Sequence, residues 1–327
     1  MKVARAAVFA SLFASLAAAG AVFAQGTTPG AYPTRPIRMW QGFAAGGNGD
    51  IIARLVAAKI SEGLGQNVVV EGRTGAGGNL ASELVAKSLP DGYTLILLTG
   101  GHAVSAAMYK KLPFEPVAEF SFVSLVNVFP FVIGTSAEGA VKSVREMVEA
   151  ARREPGKLSF SSVGVGSTQH LAGELFASMA KVQLVHVPYR GGGAPVQDVM
   201  TGRVDFLFDT LTPTLPQIRA GKLRAIAVTS RTRLASLPDV PAVGETVPGY
   251  EVMSWTGVAA PAKTPPEIVR RLSQEVVKAI AMPEVQKRLS ELGAEPRSST
   301  PEDMRVHVES EIAKWRRVVD EAKIERQ

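Results

Sequence analysis

Apolar and polar positions along this chain alternate between two spacings, and the alternation predicts strands and helices in turn. Ile37 to Trp40 is a short strand-like run, followed by a Gly-rich turn. From about Asp50 to Leu64, the apolar residues Ile52, Leu55, Val56 and Ile60 recur three or four apart, which places them on one helical face. Gly63 and Gly65 end that helix. Val68-Val69-Val70 predicts a short strand bounded by the glycines of 72–78, and Asn79 to Ser88 a second helix. Pro90-Asp91-Gly92 is a turn, and Tyr93 to Leu98 a buried strand.

A second block repeats this order. A helix at Ser143 to Arg153 leads through Pro155-Gly156 to a strand at Leu158 to Ser161, a Gly-rich turn and a helix at Thr168 to Ala180. Leu184 to Val187 and Val204 to Phe208 are predicted strands, with Asp209 at the end of the latter. Pro195 to Thr201 and Gln217 to Gly221 are predicted helices, and Arg224 to Val228 a strand. The C-terminal part is mainly helical. Thr264-Pro265 predicts a cap with proline at the first helical position, and Met282-Pro283 starts a short helix. Thr300-Pro301-Glu302-Asp303 opens the last helix, with acids where the helix dipole favours them. Met304, Val308, Ile312, Trp315 and Val319 form its inner stripe. Strand and helix in alternation imply α/β lobes, each a mixed, mostly parallel sheet flanked by helices.

The N-terminus changes the picture of where the chain works. Lys2 and Arg5 precede an uncharged, Ala-rich stretch from Ala6 to Ala24 that ends Val22-Phe23-Ala24, which reads as a cleavable signal peptide over 1–24. An uncleaved membrane anchor is the other reading of such a stretch. The expected mature protein is soluble in the periplasm. The chain has 327 residues and no cysteine, which excludes disulfides, thiolate zinc sites and a cysteine nucleophile. Formal net charge is +6, but Lys2 and Arg5 belong to the leader, and no dense basic run is interleaved with aromatics. Nucleic acid is therefore disfavoured as a partner.

Two glycine turns are candidates for holding an anion. Phe43 to Arg54 reads FAAGGNGDIIAR, with Gly46, Gly47 and Gly49 between a strand and a helix start. Ser161 to His170 reads SSVGVGSTQH, with Gly164 and Gly166 ahead of the possible caps Ser167 and Thr168. A helix start offers unpaired N–H donors and a partial positive charge. Taken singly, each is most simply an ordinary strand-to-helix turn. Neither fits the phosphate loop or the dinucleotide fingerprint. GRTGAGG at 72–78 reads as a structural turn, and Gly191-Gly192-Gly193 as a rim carrying Tyr189 and Arg190.

A catalytic constellation does not emerge. Ser178-Met179-Ala180-Lys181 matches S-x-x-K without its partner motifs, and Met179 sits on an apolar face. His102, His170, His186 and His307 show no helical metal-pair spacing. His170 and His186 read as satisfied structural histidines, and Asp50 as a loop organiser. Asp209 reads equally as a group that orients a polar ligand and as a cap for the next turn.

The ordered set of motifs resembles one family over nearly the whole mature chain. YPTRPIR, FAAGGNGDIIAR, LGQNVVVEGRTGAGGN, PDGYTL, PGKLSFSSVGVGSTQHLAGELF, HVPYRGGGAPVQDVMTGRVDFLFD, AGKLRAIAVTS, LPDVPAVGE, SWTGVAAPAKTP and AKWRRVV occur in the order found in tripartite tricarboxylate transporter receptors, the Bug or TctC-like solute receptors. That resemblance implies a two-lobed class II periplasmic binding fold, with 26–126 and 254–327 in one lobe and 127–253 in the other. It implies capture of a small carboxylate, chiefly by backbone amides, and delivery to membrane permease subunits. By position, Ala44, Ala45, Gly46, Gly47 and Asn48 form one jaw, and Val163, Gly164, Gly166, Ser167 and Thr168 the other. Thr99 and Gly100 line the first lobe's side of the cleft, and Asp209 and Thr210 the second's. The expected protein is a monomer without cofactor, metal or catalytic activity. A ligand-sensing partner of a signalling system and a periplasmic hydrolase are the alternatives. Ala45, Asn48-Gly49, Gly72 and Thr210 depart from the family's common residues, so ligand identity does not carry over.

Overall fold

A computed structural model of the chain describes residues 32–327. The expected leader and its cleavage point lie outside the described residues. Residues 35–327 pack as one body, built from two sheets that share one strand. The first sheet runs β2 (Val68–Gly72), β1 (Ile37–Gln41), β3 (Thr94–Thr99), β9 (Met253–Pro261), β4 (Phe120–Ser136) and β10 (Glu295–Pro296). The second runs β6 (Val185–Pro188), β5 (Ser159–Ser162), β7 (Phe206–Thr210), the far end of β4, and β8 (Leu223–Val228). β2, β1 and β3 of the first sheet run parallel, as do β6, β5 and β7 of the second, as βαβ crossovers require. Every pairing made by β4 or β9 is antiparallel.

β4 makes the molecule two-lobed. Its 17 residues carry no charge and are buried almost throughout. Residues 120–130 pair with β9 in the first sheet; from Phe131 onward the strand pairs with β7 and β8 in the second. Phe131 N–H donates to the Thr229 hydroxyl at 2.8 Å, and that hydroxyl donates to the Val252 carbonyl at 2.7 Å. One buried threonine thus ties the outgoing strand to the returning chain.

Helices cover both sheets. The first lobe carries α1 (Asn48–Leu64), α2 (Asn79–Ala86), α3 (Gly101–Met108), α8 (Pro266–Ala281), α9 (Pro283–Glu291) and α10 (Pro301–Glu321). The second carries α4 (Val144–Arg153), α5 (Thr168–Ala180), α6 (Ala194–Met200) and α7 (Leu211–Arg219). The stripe expected on the last helix is buried in full: Met304, Val308, Ile312, Trp315 and Val319 all face the core. Thr300 caps that helix, accepting from Asp303 N–H at 3.1 Å.

Two local expectations change, and one helix is new. The helix placed at Gln217 to Gly221 begins at Leu211. Pro213 falls in its first turn, where no N–H is needed, and Pro216 lies inside it. Thr264 does not cap α8, because its hydroxyl turns back to the Pro261 carbonyl and Pro265 occupies the cap position. α3 has no amphipathic stripe to announce it, since seven of its eight residues are buried.

Three histidines, His102 and His170 buried and His186 half-buried, stand in the fold as neutral groups. His102 faces the Pro116 carbonyl at 2.7 Å and packs against Phe114 and Phe120. His170 and His186 stack with ring centres 3.9 Å apart, and Phe160 closes the stack. Burial pulls His102 and His170 down to about 4. Burial, then the neighbouring His170, pulls His186 to about 3.

Two outcomes are expected. Thr229→Val leaves the buried Phe131 N–H and Val252 carbonyl short of partners, so urea unfolding should show a loss of roughly 2 kcal/mol or more. For the histidines, the unfolded chain binds more protons than the folded one from their ordinary value of 6.5 down to about 4. Stability therefore falls as pH drops through that window, by up to about 1.4 kcal/mol per pH unit for each histidine. Asp209, shifted upward, opposes this trend below about pH 6. The urea midpoint should drop between pH 7 and pH 5. His170→Asn, which keeps an acceptor in place, should shallow that dependence by about one proton; an unchanged dependence would remove His170 from the account.

Candidate functional site

Four strand-to-helix junctions meet between the lobes: β1 to α1, β3 to α3, β5 to α5 and β7 to α7. Each lies at the carboxyl end of its strand, where open α/β sheets place ligands. The cleft between them has a volume of about 470 Å³, the solvent at its open mouth included. From the first lobe it is lined by Phe43, Gly47, Asn48, Gly49, Thr99 and Ser254. Val163, Ser167, Thr168, Gln169, Gly191, Gly192, Asp209, Thr210 and Pro213 line it from the second. Phe129 and Phe131 of β4 lie where the lobes join. Among the described residues, the wall holds no lysine, arginine or histidine.

Of the residues expected from sequence, Gly47, Asn48, Thr99, Val163, Ser167, Thr168, Asp209 and Thr210 are brought together on this wall. Ala44, Ala45, Gly46, Gly100, Gly164 and Gly166 are not on it. Several loop amides are already engaged inside their own loops. Gly46 N–H donates to Asp50 Oδ2 at 3.1 Å, and Gly47 N–H to the Ala44 carbonyl at 3.3 Å. In the second loop, Gly164 N–H donates to the Ser162 hydroxyl and Ser167 N–H to the Gly164 carbonyl. Gly166 N–H donates to His170 Nδ1 at 3.3 Å. These bonds shape the loops. The donors left for the cleft lie one turn further on: Asn48 and Gly49 open α1, and Thr168 and Gln169 open α5, where no carbonyl precedes them in the helix. Asp50 is the loop organiser that its position suggested; it is buried, holds Gly46 N–H, and pairs with Arg54 at 3.0 Å.

The lobes touch over the cleft through one backbone hydrogen bond and several made by side chains. Ala44 N–H donates to the Arg190 carbonyl at 3.0 Å. The Thr212 hydroxyl donates to Asn48 Oδ1 at 2.6 Å. Ser105 and Tyr109 of the first lobe donate to the carbonyls of Gly166 and Val165 at 3.2 and 3.4 Å. The Thr168 and Ser254 hydroxyls meet at 3.4 Å. Two glycines make the approach possible. A Cβ on Gly77, whose φ is +65°, would sit 2.5 Å from the Val165 carbonyl oxygen, and a Cβ on Gly47 would meet Gly192 N at 3.2 Å. The turn at 72–78 is structural, and in addition part of the seam between the lobes.

Sequence reasoning missed several wall residues. Phe129 and Phe131 belong to an apolar strand whose two-sheet role no local pattern marks. Gly191 and Gly192 were legible as a rim, but Tyr189 turns into its own lobe, its hydroxyl donating to Asp198 Oδ2 at 2.6 Å. Gln169 could have been found from its place beside Thr168 at the start of α5. The S-x-x-K serine lies far from the cleft, with its exposed hydroxyl on the Ala322 carbonyl.

Residues 52–324 match the family described as the tripartite tricarboxylate transporter family receptor. A curated relative, a UPF0065 protein in the tcbD-tcbE intergenic region of Pseudomonas sp. strain P51, is 40% identical over 296 residues, covering 90% of this chain and 88% of its own. Among solved structures, Rpa4515 of R. palustris with adipate is similar at TM-score 0.87 and 38% identity, over 90% of this chain and 100% of that one. MatC of Rhodopseudomonas palustris with bound malate is similar at TM-score 0.84 and 33% identity, over 88% and 100%. On sequence and on fold alike, this chain belongs to the tripartite tricarboxylate transporter family of receptors, two-lobed solute-binding proteins.

Proposed function

We propose that the chain captures a small carboxylate reversibly in the periplasm and presents it, with lobes closed, to membrane permease subunits of a tripartite tricarboxylate-type transporter. The observation that carries this reading is the convergence of the α1 and α5 N-termini, one from each lobe, on a single narrow cleft without a basic side chain. Helix starts give an anion N–H donors and about half a positive charge each. Relatives of known structure hold adipate and malate, both small dicarboxylates.

In this reading Gly47, Asn48 and Thr99 act from the first lobe, and Val163, Ser167, Thr168, Asp209 and Thr210 from the second. Ala44, Ala45, Gly46, Gly100, Gly164 and Gly166 set the shape and spacing of the loops behind them. Ligand favours the closed form because only there do both helix starts reach it. The hinge lies at Pro130–Phe131 and Val252–Met253, where β4 leaves the first sheet and the chain returns. The protein works as a binder and performs no turnover.

Thermal shift and calorimetry with a panel of aliphatic mono- and dicarboxylates test this. A ligand at about 100 times its Kd should add about 2.7 kcal/mol of stability; silence across the panel would sink the reading. Gly47→Val carries methyl groups toward Gly192 across the seam and should weaken binding more than about tenfold while the unfolding midpoint without ligand holds. Retained affinity would place the closing contact elsewhere.

A further inference from the structure

Among the described residues, Asp209 is the one titratable side chain on the wall of the cleft. It is 3% exposed. Its Oδ1 accepts from Thr210 N–H at 2.7 Å and from the Thr210 hydroxyl at 3.4 Å, and Gln169 donates to the same carboxyl. No cation is paired with it. The elements packed against β7 carry His170 and Glu174 on α5, Asp198 on α6 and Arg219 on α7; β4 and β5 carry no charge. His170 is engaged with Gly166 and Glu174, and Asp198 with Tyr189 and Arg203. Arg219 is exposed. Burial, only partly offset by the Thr210 and Gln169 hydrogen bonds, pushes the Asp209 carboxyl up to about 6.

A site for carboxylates with an uncompensated carboxyl in its wall has a charge problem at one end. Two like charges in one dry cleft disfavour each other's ionised form, and a buried anion without a partner is expensive. The helix starts of α1 and α5 serve one ligand carboxylate. The group that meets Asp209 must then share a hydrogen with it. We propose that Asp209 is the specificity-determining residue of the cleft: it takes a ligand end that brings its own hydrogen, such as a hydroxyl, and it binds a second carboxylate only by taking up one proton from solution. The inference rests on the carboxylate reading and deepens it.

Calorimetry on the mature chain tests it with two matched pairs: succinate with 4-hydroxybutanoate, and adipate with 6-hydroxyhexanoate. Titrations run from about pH 7 to about pH 8.5, where both diacids are dianions, in buffers of different ionisation heat. A diacid that binds should take up close to one proton, and its affinity should fall about tenfold for each pH unit gained. The hydroxy acid of the same pair should take up none and bind with little pH dependence. Asp209→Asn should bind the diacid without proton uptake. Diacid binding with no proton uptake in the wild-type protein overturns the inference, whether or not the variant folds, and so does equal uptake by both members of a pair. Absence of binding by all four compounds overturns the carboxylate reading itself, and this inference with it.

Discussion

Strand β4 has to satisfy two sheets with one backbone. Over 120–130 its edges serve β9 and β10, and from Phe131 they serve β7 and β8. A strand so used can present no charged side chain, since both faces are covered in both sheets, and its sequence carries none. The cleft follows from this. Two sheets that share a strand stand side by side with their strand ends directed at a common gap. The helices that leave those ends begin there. Phe129 and Phe131, at the crossing, become the floor of the gap. Thr229 holds the crossing together through Phe131 and Val252, so the spacing of the jaws rests on buried hydrogen bonds at the floor of the gap.

The glycine loops divide their work differently from the expectation that they would cradle an anion directly. Their amides mostly bind within the loop, to Asp50, Ser162, His170 and neighbouring carbonyls. What glycine supplies is closeness. At Gly77 main chain of one lobe lies against the Val165 carbonyl of the other with no room for a side chain between, and at Gly47 opposite Gly192 the fit is tight. The seam closes tightly, and the N–H groups left without a partner in their own loop lie in the first turns of α1 and α5. The stacked His170–His186 pair belongs to the same economy. His170 holds Gly166 N–H only while its Nδ1 is unprotonated, and burial keeps it so.

Much of this was legible in the sequence. The strands and helices of the two βα blocks show themselves through three- and four-residue apolar spacing and through glycine and proline punctuation. The inner stripe of α10 reads correctly down to each residue. β4 and α3 do not show themselves so readily, because a segment buried on every side has no polar face to create a period. α7 was displaced because Pro213 and Pro216 resemble a loop, although the first costs a helix nothing in its opening turn. The wall residues found by position stand beside a glycine turn or, as with Asp209 and Thr210, at the end of a predicted strand. Ser254, Phe129 and Phe131 were missed because they arrive through long-range pairing of β9 with β4, which no local window contains.

The chemistry of the wall explains why a receptor would avoid a basic side chain. A guanidinium pairing with a carboxylate in a dry cleft forms two charge-assisted bonds and resists release. Helix starts offer donors and fractional charge, worth less each, and their strength depends on both lobes being in place at once. Opening the lobes removes half of the donors in one movement. Affinity is thereby tied to closure, and anything that separates the jaws also weakens the hold on the ligand. A neutral, glycine-seamed cleft with one buried carboxyl is suited to a protein that must let go as reliably as it binds.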